Sequence, residues 1–161
     1  MGNNMWKSVF DTGLVIGKIT LDYLYTKEEE RRIILSDIKK VDNMTGKEFE
    51  FFLSACYKKL GYSVTPTPVT QDYGADLILI KDGIKTVVQA KRSKNSVSVK
   101  AVQEIVAAIK YYKASQALVV TNNKFTKNAR NLAHFNKVSL LERGELMDLI
   151  IKIQSQARKE G

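Results

Sequence analysis

Residues 71–92, reading QDYGADLILIKDGIKTVVQAKR, constrain the fold more tightly than any other stretch of this 161-residue chain. Two short runs rich in Ile, Leu and Val, residues 76–80 and 84–90, flank Asp82-Gly83, a pair that tolerates the positive φ angles of a two-residue hairpin turn. Such a turn fixes the register: Ile80 faces Lys85, Ile78 faces Val87, and Asp76 faces Gln89. Side chains alternate between faces along a strand, so Lys91 shares a face with Gln89 and Asp76. A carboxylate, an amide and an ammonium group are thereby expected to converge at the open end of the hairpin. Most other hairpin positions are apolar on both faces, which predicts a central pair of strands covered from both sides.

An ordinary strand-end ion pair between Asp76 and Lys91 accounts for part of this pattern, but the spacing is more specific. Gly74-Ala75-Asp76, then a thirteen-residue step to Gln89, then x-Lys91, resembles the PD-(D/E)xK nuclease superfamily in the variant where Gln replaces the acidic residue. Within it the chain is most similar to the catalytic domain of Mrr-like restriction endonucleases, whose D-x-G-x-D entry and Q-x-K exit are matched by residues 72–76 and 89–91. Gly46 to Glu50 match the G-x-x-F-E helix that opens such domains. Residues 99–104 and Val119-Val120-Thr121 through Phe125-Thr126 add weaker matches in the family's order.

The formal charge of +9 is unevenly spread: between Lys81 and Arg130 stand eleven Lys or Arg and only two acids, Asp82 and Glu104. A basic excess gathered on the central half favours a polyanionic partner, with nucleic acid ahead of an anionic membrane surface. One cysteine, Cys56, excludes an internal disulfide and a cysteine-based zinc cluster, and one histidine, His134, leaves little for histidine metal binding. Cys56 reads as core and His134 as structural. No signal-peptide pattern and no apolar run long enough to span a membrane are present, so a soluble, cytoplasmic protein is expected.

Along the chain, residues 1–43 read as an appendage that packs on the domain or on a second copy of it. Thr26 to Glu29 form a capping box, and Ile34, Leu35, Ile38 and Val41 give one apolar stripe. The segment is too short for the separate winged-helix DNA-reading domain that Mrr-like proteins often carry. The domain proper, 44–161, begins with a second capping box at Thr45 to Glu48 and a helix with Phe49, Phe52, Leu53, Cys56, Tyr57 and Leu60 at helical spacing. Glu50 stands at the margin of that stripe and faces either solvent or the strands.

Residues 62–65 form the first strand, stopped by Pro66 and Pro68. The hairpin follows, then a basic loop and a helix capped near Ser98, with Val102, Ile105, Val106 and Ile109 facing inward. A strand at 116–121, a helix at 126–135, a strand at 138–141 and a terminal helix from Glu145 complete the order α-β-β-β-α-β-α-β-α. That order fits an α/β restriction-endonuclease-like core, a mixed central β-sheet flanked by helices. Asn122 and Asn123 read as loop residues.

The resemblance implies a metal-dependent DNA endonuclease using Mg²⁺, for which Mn²⁺ can substitute. Phosphodiester hydrolysis needs a held phosphate, an activated water and compensation of charge on the attacking and leaving oxygens, all of which Mg²⁺ on a few oxygen ligands can supply. Asp76 would be the central metal ligand, Glu50 a second carboxylate acting directly or through water, and the Gln89 oxygen a neutral ligand. The Ala90 carbonyl completes the set. Lys91 would stand beside the attacking water, either stabilising charge or accepting a proton.

Lys94, Lys100, Lys127 and Arg130 are candidates for phosphate contacts, with Arg92 and Gln103 nearer the scissile bond; solvated surface charge is the alternative for each singly. DNA and further copies of the chain, as a homodimer or higher homo-oligomer, are the expected partners. A structure-specific nuclease of the Holliday-junction-resolvase kind shares this fold and chemistry. A DNA-binding module with a relic site is the rival from another class.

Overall fold

The computed structural model describes residues 37–68 and 73–159. The expected helix start at Thr26, the appendage before residue 37, and Asp72 of the D-x-G-x-D entry lie outside the described residues. Among the described residues ten elements follow in order: α1 Ile38–Asp42, α2 Gly46–Lys59, β1 Ser63–Pro66, β2 Leu77–Lys81, β3 Ile84–Lys91, α3 Val99–Tyr111, β4 Gln116–Thr121, α4 Lys127–Phe135, β5 Ser139–Leu141 and α5 Arg143–Lys159. From α2 onward this is the order expected from the sequence.

The five strands form one mixed sheet in the order β1-β2-β3-β4-β5. β1, β2 and β3 are antiparallel neighbours, while β3-β4 and β4-β5 are parallel. Antiparallel neighbours need only tight turns, whereas each parallel step needs a crossover, supplied here by α3 and α4. The hairpin has the expected register, Ile80 opposite Lys85 and Ile78 opposite Val87. Its turn is built as the sequence requires, with Asp82 at φ 50° and Gly83 at φ 76°.

Pro66 is not a stop but the last residue of β1, paired with Leu77. An edge strand leaves one side without ladder partners, so a missing N–H is tolerated there.

Alternation along the strands divides the core in two. Leu77, Leu79, Val88, Ala90 and Val120 point to the face covered by α2 and α5, where Phe49, Phe52, Leu53, Leu146 and Ile153 are fully buried. Val87, Ala117 and Val119 point to the other face, covered by α3 and α4 through Ala101, Val102, Ile105, Ala108, Ala129 and Ala133. Burying one large aliphatic or aromatic side chain contributes about 1.5–3 kcal/mol, so these two layers fix the sheet between the helices. Cover ends before the hairpin tip, where Ile80 and Ile84 are exposed.

The start of α2 is closed by the capping box: Thr45 N–H donates to the Glu48 carboxylate at 2.6 Å and Glu48 N–H to Thr45 Oγ at 3.2 Å. α1 joins the same core through the fully buried Val41. β3 and β4 end at one edge, with Lys91 opposite Thr121, and the loops beyond them stay joined by a bridge between Val97 and Phe125. β2 begins at that same edge, which places Asp76, Gln89 and Lys91 together.

Candidate active site

At the entry to β2 the regular pairing stops at Leu77 opposite Val88. Asp76 N–H donates to the Val88 carbonyl at 2.7 Å, so two consecutive residues face Val88 as in a β-bulge. Asp76 is therefore offset from the position opposite Gln89 that an uninterrupted register predicts. Its carboxylate turns to the β3 backbone instead, where Oδ2 accepts from Ala90 N–H at 2.7 Å. Thr67, just beyond β1, donates its N–H to the Asp76 carbonyl at 3.0 Å and its hydroxyl to the Ala75 carbonyl at 2.5 Å.

The same segment is pressed against α3. Gly74 has φ +86°, and a Cβ there would stand 2.6 Å from the Glu104 carbonyl oxygen and 2.8 Å from Glu104 Cβ. Only glycine combines that backbone conformation with that approach.

Gln89 is 3% exposed. Its Nε2 donates to Glu104 Oε2 at 2.7 Å, while its Oε1 is buried and has no hydrogen-bond partner among the described residues. The Lys91 ammonium stands 3.1 Å from the same Glu104 oxygen, and Lys100 lies 3.9 Å from the other. Burial opposes the charge on Glu104, yet hydrogen bonds from Lys91 and Gln89 and the positive charge of Lys91 and Lys100 outweigh it and hold its carboxyl below the ordinary glutamate value.

Glu104 is absent from the site expected on sequence grounds, although its helical phase could have revealed it. It lies three residues after Ala101 and four before Ala108, both buried, and so on the sheet-facing stripe. Gln103, one position earlier, is exposed.

Glu50 is carried by α2 on the opposite face of the sheet from α3, and its carboxylate meets Lys47 at 2.6 Å. Arg92 follows the alternation to that face too, and its Nη1 donates to the Asp42 carbonyl at 3.4 Å. Arg130 is paired with Glu142 at 2.9 Å. Lys94, Lys100 and Lys127 are exposed at the edge where β3 and β4 end.

A second polar cluster occupies this edge. Arg143 grips Asp42 with two hydrogen bonds, Nη1 to Oδ1 at 2.7 Å and Nη2 to Oδ2 at 2.9 Å. Asn122 donates to Asp42 Oδ1 at 2.9 Å and accepts from Ser93 N–H at 2.8 Å. Asn122 is the loop residue expected, and it is buried as a link between segments. Together with Lys94 and Asn123 these residues line a cleft of about 330 Å³.

Among the described residues no three His, Cys, Asp or Glu side chains are grouped to hold a metal ion. A cation bound here by the described residues would draw on neutral oxygens as well. The Gln89 Oε1, without a partner among the described residues, is such an oxygen, and with the Asp76 carboxylate and the Ala90 carbonyl at the same strand end it would make the all-oxygen kind of donor set that suits a hard divalent cation. The residues present fit the expected ion.

The family model Mrr_cat, described as restriction endonuclease, matches residues 41–150. The chain belongs to that family. The Mrr_cat match begins inside α1 and ends inside α5, so it takes in the whole sheet and both polar clusters. No curated protein matches the chain.

Among solved structures the Mrr_cat domain is similar to MspJI restriction endonuclease in complex with a 27-mer oligonucleotide, at 19% identity and TM-score 0.55 over 83% of this chain and 33% of that one. The DNA modification-dependent restriction endonuclease AspBHI gives 19% identity and TM-score 0.55 over 89% of this chain and 39% of that one. A protein of unknown function, AF1548, gives 16% identity and TM-score 0.51 over 58% and 55%. The chain therefore spans about half or less of the length of these structures, and the likeness is one of fold: a mixed five-stranded sheet flanked by helices. No described helix is long and apolar enough to cross a membrane.

Proposed function

We propose that this Mrr_cat domain is a metal-dependent DNA endonuclease that hydrolyses phosphodiester bonds in the cytoplasm. The observation that carries the reading is the buried Gln89 oxygen, without a partner among the described residues, at the strand end that also holds Asp76 and Lys91. Leaving a buried acceptor unsatisfied costs about 1–3 kcal/mol, so such a group calls for a ligand.

Asp76, Gln89 through Oε1 and the Ala90 carbonyl would hold Mg²⁺ or Mn²⁺, with Glu50, which α2 carries on the other face of the sheet and Lys47 engages, reaching the ion only through water. When bound, that ion polarises the phosphate and lowers the pKa of a nucleophilic water. Lys91 contributes positive charge to the oxygens on which negative charge develops, and its ion pair with Glu104 holds the ammonium in one place. Lys94, Lys100 and Lys127 line the edge along which a DNA backbone would run, supplying affinity without sequence readout. Met147 and Ile151, exposed one turn apart on α5, support a homodimer or higher homo-oligomer, which the mass from light scattering tests.

The deciding experiment incubates the purified protein with supercoiled plasmid and Mg²⁺, Mn²⁺ or chelator, beside Asp76→Asn and Lys91→Ala proteins. Cleavage that needs metal and disappears in both variants is expected. Cleavage surviving both substitutions would place the chemistry elsewhere. Binding without cutting of plasmid, methylated plasmid or branched DNA would make the domain a DNA-binding module.

A further inference from the structure

The geometry points to Glu104 as a positioning residue that sets which end of the Gln89 amide faces the cation. An amide presents a donor at one end and an acceptor at the other, and the two ends are nearly the same shape. Nothing in the size of a glutamine side chain therefore decides which end turns toward a metal. A cation needs the oxygen; the NH₂ end would repel it.

Glu104 removes the ambiguity, because a carboxylate offers acceptors only. With Glu104 Oε2 at 2.7 Å, the Gln89 group facing α3 must be Nε2, and Oε1 is left pointing away, buried and without a partner among the described residues. Turning the amide over would set two acceptors against each other and lose the bond. The same carboxylate oxygen holds Lys91 at 3.1 Å, so one side chain on α3 orients both residues of the Q-x-K exit. Gly74 seats the helix at this level, since the approach of its Cα to the Glu104 backbone leaves no room for a Cβ.

In the acidic variant of this motif a carboxylate at position 89 could bind a cation through either oxygen and would need no such device. With glutamine there, orientation by Glu104 compensates for the missing charge. This assignment rests on the metal-dependent reading of the site.

Mn²⁺ binding to the full chain, measured by calorimetry and by the loss of the free-ion electron paramagnetic resonance signal, tests it without recourse to activity. The proteins compared are wild type, Asp76→Ala, Glu104→Ala, Gln89→Glu and the exchange Gln89→Glu with Glu104→Gln, each with its melting temperature. Loss of an outer group that orients a ligand weakens metal binding by roughly 10–100-fold, and Glu104→Ala is expected in that range. Gln89→Glu alone sets two carboxylates against each other, whereas the exchanged pair restores one donor facing one carboxylate. The exchange is therefore expected to bind Mn²⁺ at least as tightly as wild type and more tightly than Gln89→Glu.

A merely structural Glu104 would lower the melting temperature but give no recovery in the exchange. Wild-type affinity in folded Glu104→Ala, or an exchange no better than Gln89→Glu, would overturn the assignment while leaving the nuclease reading intact. No Mn²⁺ binding by wild type, or binding indifferent to Asp76→Ala, would remove both.

Discussion

Gly74 and Glu104 touch through their backbones: a Cβ on residue 74 would lie 2.6 Å from the Glu104 carbonyl oxygen. Gly74 stands two residues before Asp76 and Glu104 carries the contacts to Gln89 and Lys91, so this approach sets the spacing between the two halves of the site. Gly74→Ala forces a positive φ on an L-residue, which costs about 1–3 kcal/mol, and pushes α3 away from the hairpin as well. We expect a lower melting temperature and a loss of plasmid cleavage exceeding what the stability change accounts for, because a displacement of about 1 Å at a reacting centre can cost roughly 10²-fold. A variant that melts and cleaves like wild type would show that the helix has room to move.

On the nuclease reading proposed above, Asp76 has two separable duties. Its Oδ2 satisfies Ala90 N–H at 2.7 Å, a structural bond, while its charge is the part required of a metal ligand. Asparagine keeps a carbonyl oxygen for the bond and discards the charge; alanine discards both. Asp76→Asn should therefore melt near wild type yet fail to cleave, whereas Asp76→Ala should also lose about 1–3 kcal/mol for the stranded backbone donor. Equal denaturation midpoints for the two variants would contradict this division.

These contacts show where sequence reasoning reached and where it stopped. The register from Ile84 back to Leu77 follows from Asp82-Gly83, because a two-residue turn is a local device that leaves no freedom in the pairing. The offset at Asp76 does not follow, since the interruption depends on how β1 and α3 grip the entry segment. Glu104 was within reach of helical periodicity, whereas its pairing with Gln89 and Lys91 on β3 was not. The link between Asp42, Asn122 and Arg143 joins residues 80 and 101 positions apart, and no local pattern announces such a meeting.

That long-range link has a pH signature. The bidentate Arg143 guanidinium, helped by the Asn122 amide and working against burial, holds the Asp42 carboxyl below the ordinary aspartate value. A depressed carboxyl contributes stability that is complete above its unfolded value, about 4, and is lost as pH falls through the folded value. Wild type should exceed Asp42→Asn in urea midpoint at pH 7, and the gap should close on acidification below about pH 4. Since both side chains are more than a third exposed, the gap at neutral pH will be modest and will shrink further in salt. A gap constant from pH 7 to pH 3 would mean that the ion pair adds nothing to the packing.

Cys56 offers a probe of the core on α2. It is 1% exposed, and burial pushes its thiol up to about 12, so at pH 8 it is neither accessible nor a thiolate. Labelling by a disulfide reagent in native buffer should proceed only as fast as the domain opens, then become immediate in denaturant. Rapid native labelling would place α2 off the sheet. The measured native rate also gives the opening free energy of the layer that carries Glu50.

The cations of the basic central stretch divide by what they hold. Lys81 donates to the Leu60 carbonyl at 2.6 Å and lies 4.9 Å from the Tyr62 ring centre, and Lys85 donates to the Tyr112 carbonyl at 3.1 Å. Both serve the fold at the hairpin-tip end, remote from Lys91. Lys94 and Lys127 are exposed beside the strand ends that carry the candidate site. If DNA lies along that edge, Lys94→Ala and Lys127→Ala should each weaken binding uniformly across sequences and lower the slope of log affinity against log salt by about 0.9 per lost phosphate contact. Lys85→Ala should leave that slope unchanged while lowering the melting temperature. Slopes measured by fluorescence anisotropy in calcium, to hold cleavage off, decide the matter: a slope that drops for Lys85→Ala but not for Lys94→Ala would put the DNA on the other end of the sheet, away from Asp76, Gln89 and Lys91.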